Sequence, residues 1–532
     1  MGIPSYFSYI VRNHPDIIQS FTDIFLVHNL YLDCNSIVYD VIYSSKLNDA
    51  DAIISAVCDK IDKYILDVAP KNTIFIAFDG VAPLAKLEQQ RTRRYKSLYQ
   101  STITKSIFKD TPSNVWNTVS ITPGTTFMEK LTVRIREKYN NPLEYNVKTI
   151  IASPSDIYGE GEHKIFEYIR QNGSQHVDQT TLVYGLDADL IMLCINHLHV
   201  CPNIYLFRET PEFIKSINSE LNPNEKYILN IPKLANIIAL DMNNNMPLTT
   251  KQQLNRIYDY IFMCFFLGND FMPHFPAINI RTGGVDKMIN AYKHTIGSKN
   301  INLTDGTKIY WKNVNDLVYF LAELEHEYII DETKLRDKKS KYKLPNSTPE
   351  DLFKNFEILP TYERNTELLI DPFKPNWQQR YYKYLFNVDI NEDIKKQICI
   401  NYLEGLEWNM KYYTIGCSDW RWKYEYNYPP LLEDLIHYIP YANKTFVRSK
   451  IPKPVSPYVQ LAYVLPKQNL DLLPVHIYEK LVELHPEWYR TDCDFIWSYC
   501  RYFWESHVDL PDIDINKLEK MLNKLTIKQS HN

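Results

Sequence analysis

Between residue 1 and about residue 295 the chain alternates short apolar runs with stretches whose apolar residues recur at helical spacing. Leu30-Tyr31-Leu32, Thr73 to Phe78, Val147 to Ala152, Thr181 to Gly185 and Asn203 to Phe207 have strand length and many β-branched or aromatic residues. Ala50 to Asp67 and Glu162 to Arg170 carry a helical period. Strands and helices in turn predict an α/β fold, with a mostly parallel central sheet flanked by helices. Such sheets bind ligands outside the carboxyl ends of their strands. A charged, proline-containing stretch, Asp331 to Asp351, reads as a surface linker inside a linker region spanning 296–375. Residues 376–532 form a mainly helical, aromatic-rich second region centred on NYLEGLEWNMKYYTIGCSDWRW. There is no internal repeat, and only the tail KQSHN is simple enough to expect disorder.

Seven carboxylates interrupt this pattern: Asp33, Asp79, Glu160, Glu162, Asp187, Asp189 and Asp270. Each ends a buried-looking run or sits beside a glycine, in HNLYLD, TIFIAFD, GEGEH, LVYGLDADL and FFLGND. Acids are almost never fully buried without partners. Asp33, Asp79 and Asp187 each fall at the carboxyl end of a predicted strand, so acids distant in sequence can converge. A cluster of hard oxygen ligands suits Mg²⁺ or Mn²⁺ and points to metal-assisted phosphodiester chemistry. Bland readings stand beside this one. Glu160 and Glu162 fit a helix N-terminus as caps and dipole partners, and Asp270 fits an Asx turn. Asp187 and Asp189 are sharper: two apart, they share one side of an extended segment and repel unless a cation bridges them.

AKLEQQRTRRYK carries the second signal. Lys86, Gln90, Arg93 and Arg94 share one helix face. A solvated surface is the common fate of such a face. This helix, however, starts just after Asp79, through Gly80 and Pro83, and guanidinium forks suit a terminal phosphate. Among the aromatics, Trp408, Trp420 and Trp422 read by default as core. Tyr39, six residues past Asp33, reads as packing close to the acids, and His163 as a local hydrogen-bond partner.

Composition narrows the picture. The net charge of −5 excludes a basic nucleic-acid coat, so any such binding comes from a local patch. Nine cysteines without a CxxC pair fit reduced thiols in the cytoplasm or nucleus. No signal peptide, myristoylation motif or membrane-length run is present, so no membrane attachment is expected. The 40 tyrosines and 23 phenylalanines are mostly compositional drift.

The ordered set of motifs resembles the XRN family of 5′→3′ exoribonucleases. It begins with MGIPSYFSYIVRNHP and continues through LYLDCNSIVYD, AFDGVAPLAKLEQQRTRRYK, ITPGTTFMEKL, GEGEHKIFEYIR, YGLDADLIML and FFLGNDFMPHFP. It resumes at NWQQRYYKYLF, EGLEWNMKYYTIGCSDWRW, PYVQLAYVLP and DLPDIDINKLEKML. The resemblance implies a nuclease domain over 1–295 with a PIN/flap-nuclease-like core, and a second conserved region over 376–532 that completes the active-site channel. It implies that the seven acids bind two Mg²⁺ or Mn²⁺ ions, that Lys86, Gln90, Arg93 and Arg94 bind a 5′-phosphate, and that Pro83 assists strand movement. The family stacks bases between a histidine and a tryptophan. Tyr39 stands where that histidine is expected, and Trp408 is the expected tryptophan. The family's long carboxyl extension and its zinc knuckle have no counterpart here, which suggests a compact member.

The implied activity is processive hydrolysis of 5′-monophosphorylated single-stranded RNA to nucleoside 5′-monophosphates; a monomer is the simplest expectation, with decapping-associated partners left open. A flap-type DNA nuclease shares the acidic α/β core, and a catalytically inactive RNA-binding scaffold is the third reading. Loss of some acids is expected of the scaffold, and none is lost.

Overall fold

The computed structural model describes residues 3, 5–21, 26–45, 47–109, 116–448 and 453–529, with side chains to 525 in the last segment. Met1, Gly2 and Pro4 of the amino-terminal motif and residues 530–532 of the tail lie outside the described residues. The other two tail residues, Lys528 and Gln529, end the helix Ile515–Gln529.

Seven strands form the central sheet: β1 (Ile18–Ser20), β2 (Asn29–Asp33), β3 (Thr73–Ala77), β4 (Thr149–Ser153), β5 (Thr181–Tyr184), β6 (Ile204–Glu209) and β7 (Lys226–Asn230). Their order is β1-β7-β6-β5-β2-β3-β4. The five strands expected from the sequence are all present and mutually parallel. Two unexpected strands, β7 and β1, extend the β6 edge antiparallel.

β2, β3 and β5 are buried along their whole length, as central parallel strands covered on both faces must be. Side chains alternate between those faces. Leu30, Leu32, Ile74 and Ile76 pack with the helices Asn35–Ser45, Ala50–Val68 and Thr126–Lys138. Tyr31, Phe75 and Val183 pack with Gly161–Gln171, Asp189–Asn196 and Thr250–Cys264. Parallel register lines the strand ends up: Asp33 lies opposite Ala77, and Ala77 opposite Ser153. The loops leaving β2, β3, β4 and β5 therefore open at one end of the sheet.

The second region is not a separate body. The core on the Tyr31 face runs on into the helices Trp311–Ser340, Trp377–Phe386 and Glu392–Thr414. The helix Pro457–Val464 packs on the start of the helix Leu84–Ile107, with Val459, Leu461 and Ala462 against Val81, Ala82, Leu84 and Leu87. A small antiparallel pair, β8 (Asp494–Ile496) and β9 (His507–Asp509), lies near the carboxyl end.

The charged stretch Asp331 to Asp351 is not simply a surface linker. Its first ten residues complete the helix Trp311–Ser340, with Glu332, Thr333 and Arg336 buried. Charge misleads here because part of it is paired inside. The Arg336 guanidinium donates Nε (2.9 Å) and Nη2 (2.7 Å) to the two carboxylate oxygens of Glu367. Arg364 Nε donates to Glu367 at 2.6 Å, and the Tyr499 amide does so at 2.7 Å. This knot ties the 296–375 stretch to the carboxyl-terminal segment. Around it, Lys341, Tyr342, Lys343, Pro345 and Asn346 are exposed.

Glu367→Ala leaves the buried Arg336 guanidinium with only the Pro360 and Cys500 carbonyls as hydrogen-bond partners and Arg364 with only Asp337, a loss of about 3–5 kcal/mol. Urea unfolding of the variant is expected to show a midpoint lowered accordingly, with the m-value unchanged.

Candidate active site

Each acid is placed by the element that precedes it. Asp33 is the last residue of β2. Asp79 follows β3 by two residues and is clamped by Asn35, whose Nδ2 donates to its carboxylate (2.7 Å) while its own amide donates to Asn35 Oδ1 (3.0 Å). Two glycines let the loops after β3 and β4 close on each other. A Cβ on Gly80 would lie 1.8 Å from the Ile157 carbonyl, and one on Gly161 would lie 2.6 Å from Asp33 Oδ1. The Gly161 amide donates to Asp79 Oδ1 at 2.7 Å.

Glu160 occupies the N-cap position of the helix Gly161–Gln171 but makes no capping bond. Its carboxylate turns inward, pairing with Lys86 Nζ at 2.6 Å and accepting from the Tyr412 hydroxyl at 2.6 Å. Glu162 sits one residue into the same helix and is buried. Asp187 and Asp189 do not lie on an extended segment as expected. Ala188 is in the αR region, so the chain is already turning into the helix Asp189–Asn196. Asp187 stays exposed in the loop, while Asp189 is 4 % exposed. Asn269, not Asp270, makes the Asx turn, accepting from the amides of Phe271 and Met272. That leaves the Asp270 carboxylate directed at Lys86 Nζ, 2.7 Å away.

The acids act on one another electrostatically. Burial, then Asp79, Asp187 and Glu160, pushes the Asp33 carboxyl well above the usual range. Burial, then Asp189 and Glu160, does the same to Glu162. Burial and then Asp270 raise Asp189 to about 7. Burial would raise Asp270 too, yet Lys86 beside it helps hold its carboxyl below the ordinary value. Burial disfavours the Lys86 ammonium, but Asp270, Glu160 and Glu162 keep its pKa well above that of a free lysine.

This pocket has the donor set of a cation site. Asp33 Oδ1, Glu162 Oε2 and Asp189 Oδ1 are buried with no hydrogen-bond partner among the described residues. Buried carboxylate oxygens left so are costly, and divalent cations are the partners that such oxygens fit.

The helix Leu84–Ile107 begins at buried Pro83 and carries the expected basic face. Lys86 is committed to the acids. Arg94 donates Nη2 to Thr122 Oγ1 at 2.7 Å, and burial lowers its pKa to about 10. Gln90 is half-buried with its Oε1 unpartnered among the described residues, and Arg93 is exposed. Tyr39 is half-buried and stands near Arg94. Trp408 departs from the stacking role expected of it. It is fully buried, flanked by the stacked rings of Tyr412 and Trp422, with its indole N–H on the Asp419 carbonyl. No face is left for a base.

Sequence reasoning overlooked Asn35, Tyr412 and Tyr413. The Tyr412 hydroxyl donates to Glu160 at 2.6 Å, and the Tyr413 phenol stands close to Asp189. Both tyrosines come from the helix Glu392–Thr414, more than 200 residues from the acids they hold, and nothing in the local pattern links them. His163, expected to be a hydrogen-bond partner, instead stacks on Tyr412 at 3.7 Å between centroids.

The family region described as XRN 5'-3' exonuclease N-terminus matches residues 1–210, and that described as Xrn1 helical domain matches 251–358 and 370–531. The chain is 29 % identical to the 5'-3' exoribonuclease 1 of Homo sapiens, covering 97 % of this chain and 34 % of that protein. It is 25 % identical to the 5'-3' exoribonuclease 2 of Arabidopsis thaliana, covering 97 % and 66 % respectively. Identity to the 5'-3' exoribonuclease 1 of Saccharomyces cerevisiae is 27 %, over 89 % and 40 %. The chain thus spans 34 % to 66 % of the length of these relatives. Two regions of one family, in order and covering most of its length, establish that this chain belongs to the XRN family.

Proposed function

We propose that the chain is a metal-dependent 5′→3′ exoribonuclease that removes nucleoside 5′-monophosphates from 5′-monophosphorylated single-stranded RNA. One observation carries this reading: buried carboxylate oxygens without protein partners lie next to a helix that presents cationic groups.

Asp33, Asp79, Glu160, Glu162, Asp187, Asp189 and Asp270 are the groups that would hold two divalent ions, Mg²⁺ or Mn²⁺. Bound there, such ions neutralise the attacked phosphodiester and ready a water for attack. The protein's own part is positioning. Asn35 and the Gly161 amide fix Asp79, Tyr412 fixes Glu160, and Tyr413 stands beside Asp189. Lys86 links Glu160 to Asp270 and keeps that side of the pocket from flying apart. Arg93, Arg94 and Gln90 supply donors for a terminal phosphate, with Lys86 at the inner end of the same face. Tyr39, beside Arg94, offers a ring for the first base. Pro83 retains its assignment to strand movement on the family resemblance alone. A monomer acting in the cytoplasm or nucleus completes the proposal. Among the described residues no helix is long and apolar enough to cross a membrane.

Digestion of matched RNAs bearing a 5′-phosphate, a 5′-hydroxyl or a cap, with Mg²⁺ present, tests the reading. Fast release of mononucleotides from the first substrate alone is expected, and equal rates on all three contradict the phosphate-pocket assignment. Chelation with EDTA is expected to stop hydrolysis without unfolding the chain. Asp187→Ala is expected to abolish turnover while RNA binding, read by fluorescence anisotropy, persists. Arg93→Ala is expected mainly to shrink the preference for the phosphorylated end. Tyr412→Phe removes a positioning bond and is expected to cost about 10–100-fold in ion affinity, read by titration calorimetry.

A further inference from the structure

The helix Leu84–Ile107 carries a second face beside the one assigned above to a terminal phosphate. Ala85, Gln89 and Thr92 each precede a residue of that phosphate face, and with Lys96 they form a stripe of their own, about 100° round the axis. They line a cleft of about 280 Å³ whose other walls include segments 267–274, 423–427 and 504–508. Arg93 and Asp270 line it too, so the cleft begins where the phosphate face meets the acids. Its size falls at the small end of the range for small-molecule sites.

The cleft offers the partners of a nucleotide. Its acids are answered: Glu88 accepts from Tyr463, Glu425 pairs with Lys423, Glu505 with Arg281 and Asp270 with Lys86. Exposed Arg93, by contrast, has a side chain with no hydrogen bond or ion pair among the described residues. Gln89 Oε1 and the Ser506 hydroxyl, from residues that line the cleft, are buried without a hydrogen-bond partner among the described residues. Trp504 lines it as well, 37 % exposed and stacked on Tyr502 with the ring planes 11° apart. Lys96 ties this wall to the helix, donating at 2.8 Å to the carbonyls of Trp504 and Ser506. A guanidinium suits a phosphate, polar oxygens suit ribose hydroxyls, and an indole suits a base.

We propose that this cleft receives the nucleoside 5′-monophosphate released at the acids and lets it leave on the flank of the helix that the RNA does not use. The proposal rests on the function proposed above and adds the path of its product. A strand threaded into the acid pocket blocks the way in. A nucleotide that departs while the strand stays bound therefore needs a second way out. Tyr39, the ring offered to the first base, stands by Arg94, at the opposite edge of the phosphate face from the cleft. Arg93 sits at the seam between the two faces, where it can hold the phosphate before and after the nucleotide moves.

The test is rapid acid quench of one round of digestion with Mg²⁺ and enzyme in excess. RNA labelled at its 5′-phosphate reads the first cleavage, and a 3′-labelled copy reads the later ones. Thr92→Trp and Asn427→Trp fill the cleft from two different walls. In each, the first nucleotide is expected at the unsubstituted rate and every later one about tenfold more slowly, as product release becomes limiting. Later steps at the unsubstituted rate in both variants, or a first step slowed as much as the rest, overturn the proposal. A second arm needs no substitution: crystals of the full chain soaked in adenosine 5′-monophosphate are expected to show nucleotide between Arg93 and Trp504. Nucleotide confined to the acid pocket overturns the proposal and leaves the proposed function standing. No release of labelled nucleotide by the unsubstituted chain overturns the proposed function and, with it, this one.

Discussion

Mutual repulsion among buried carboxylates is the constraint on which the rest of this molecule depends. Two like charges about 4 Å apart at an effective dielectric of 20 repel by roughly 4 kcal/mol. Seven acids from five segments of the chain act on one another near the loops that leave the parallel strands. Among them Lys86, mostly buried, lies 2.6 Å from Glu160 and 2.7 Å from Asp270. One ammonium cannot neutralise them all, and burial together with the neighbouring acids drives the carboxyls of Asp33 and Glu162 upward. A fold that keeps such a pocket is strained by it unless mobile cations share the burden.

Much of the surrounding architecture exists to hold those acids against that repulsion. Parallel register brings the ends of β2, β3 and β4 level, and glycines at 80 and 161 let neighbouring loops touch the carboxylates. The second region completes the cage through Tyr412 and Tyr413. It also supports the basic helix, since Gln460 Oε1 accepts from the Ala82 amide and the Trp420 carbonyl accepts from the Leu84 amide. The acid pocket and the basic helix thus come from the first region, and groups of the second region hold them in place.

What could be read from the chain follows from what is local. The five parallel strands announced themselves as short apolar runs, and the acids at their ends as charges where apolar residues were due. The antiparallel edge was harder. β1 has only three residues, and β7 is partly exposed, so their periods are weak. Asp331 to Asp351 looked like a linker because composition does not reveal that Arg336 is answered by Glu367, 31 positions away. Trp408 looked available for stacking because a motif places a residue in sequence but does not say which rings cover its faces. Asn35 and the two site tyrosines were invisible for the same reason: their roles are tertiary contacts. The acids of GEGEH were ambiguous with helix caps until Glu160 was seen to ignore its own helix in favour of Lys86 and Tyr412.

Anomalous diffraction from crystals grown with MnCl₂ and collected at the manganese edge addresses the central claim most directly. Two anomalous peaks inside the cage formed by Asp33, Asp79, Glu160, Glu162, Asp187, Asp189 and Asp270 are the predicted result. Peaks confined to surface carboxylates, with the cage holding none, would contradict the account.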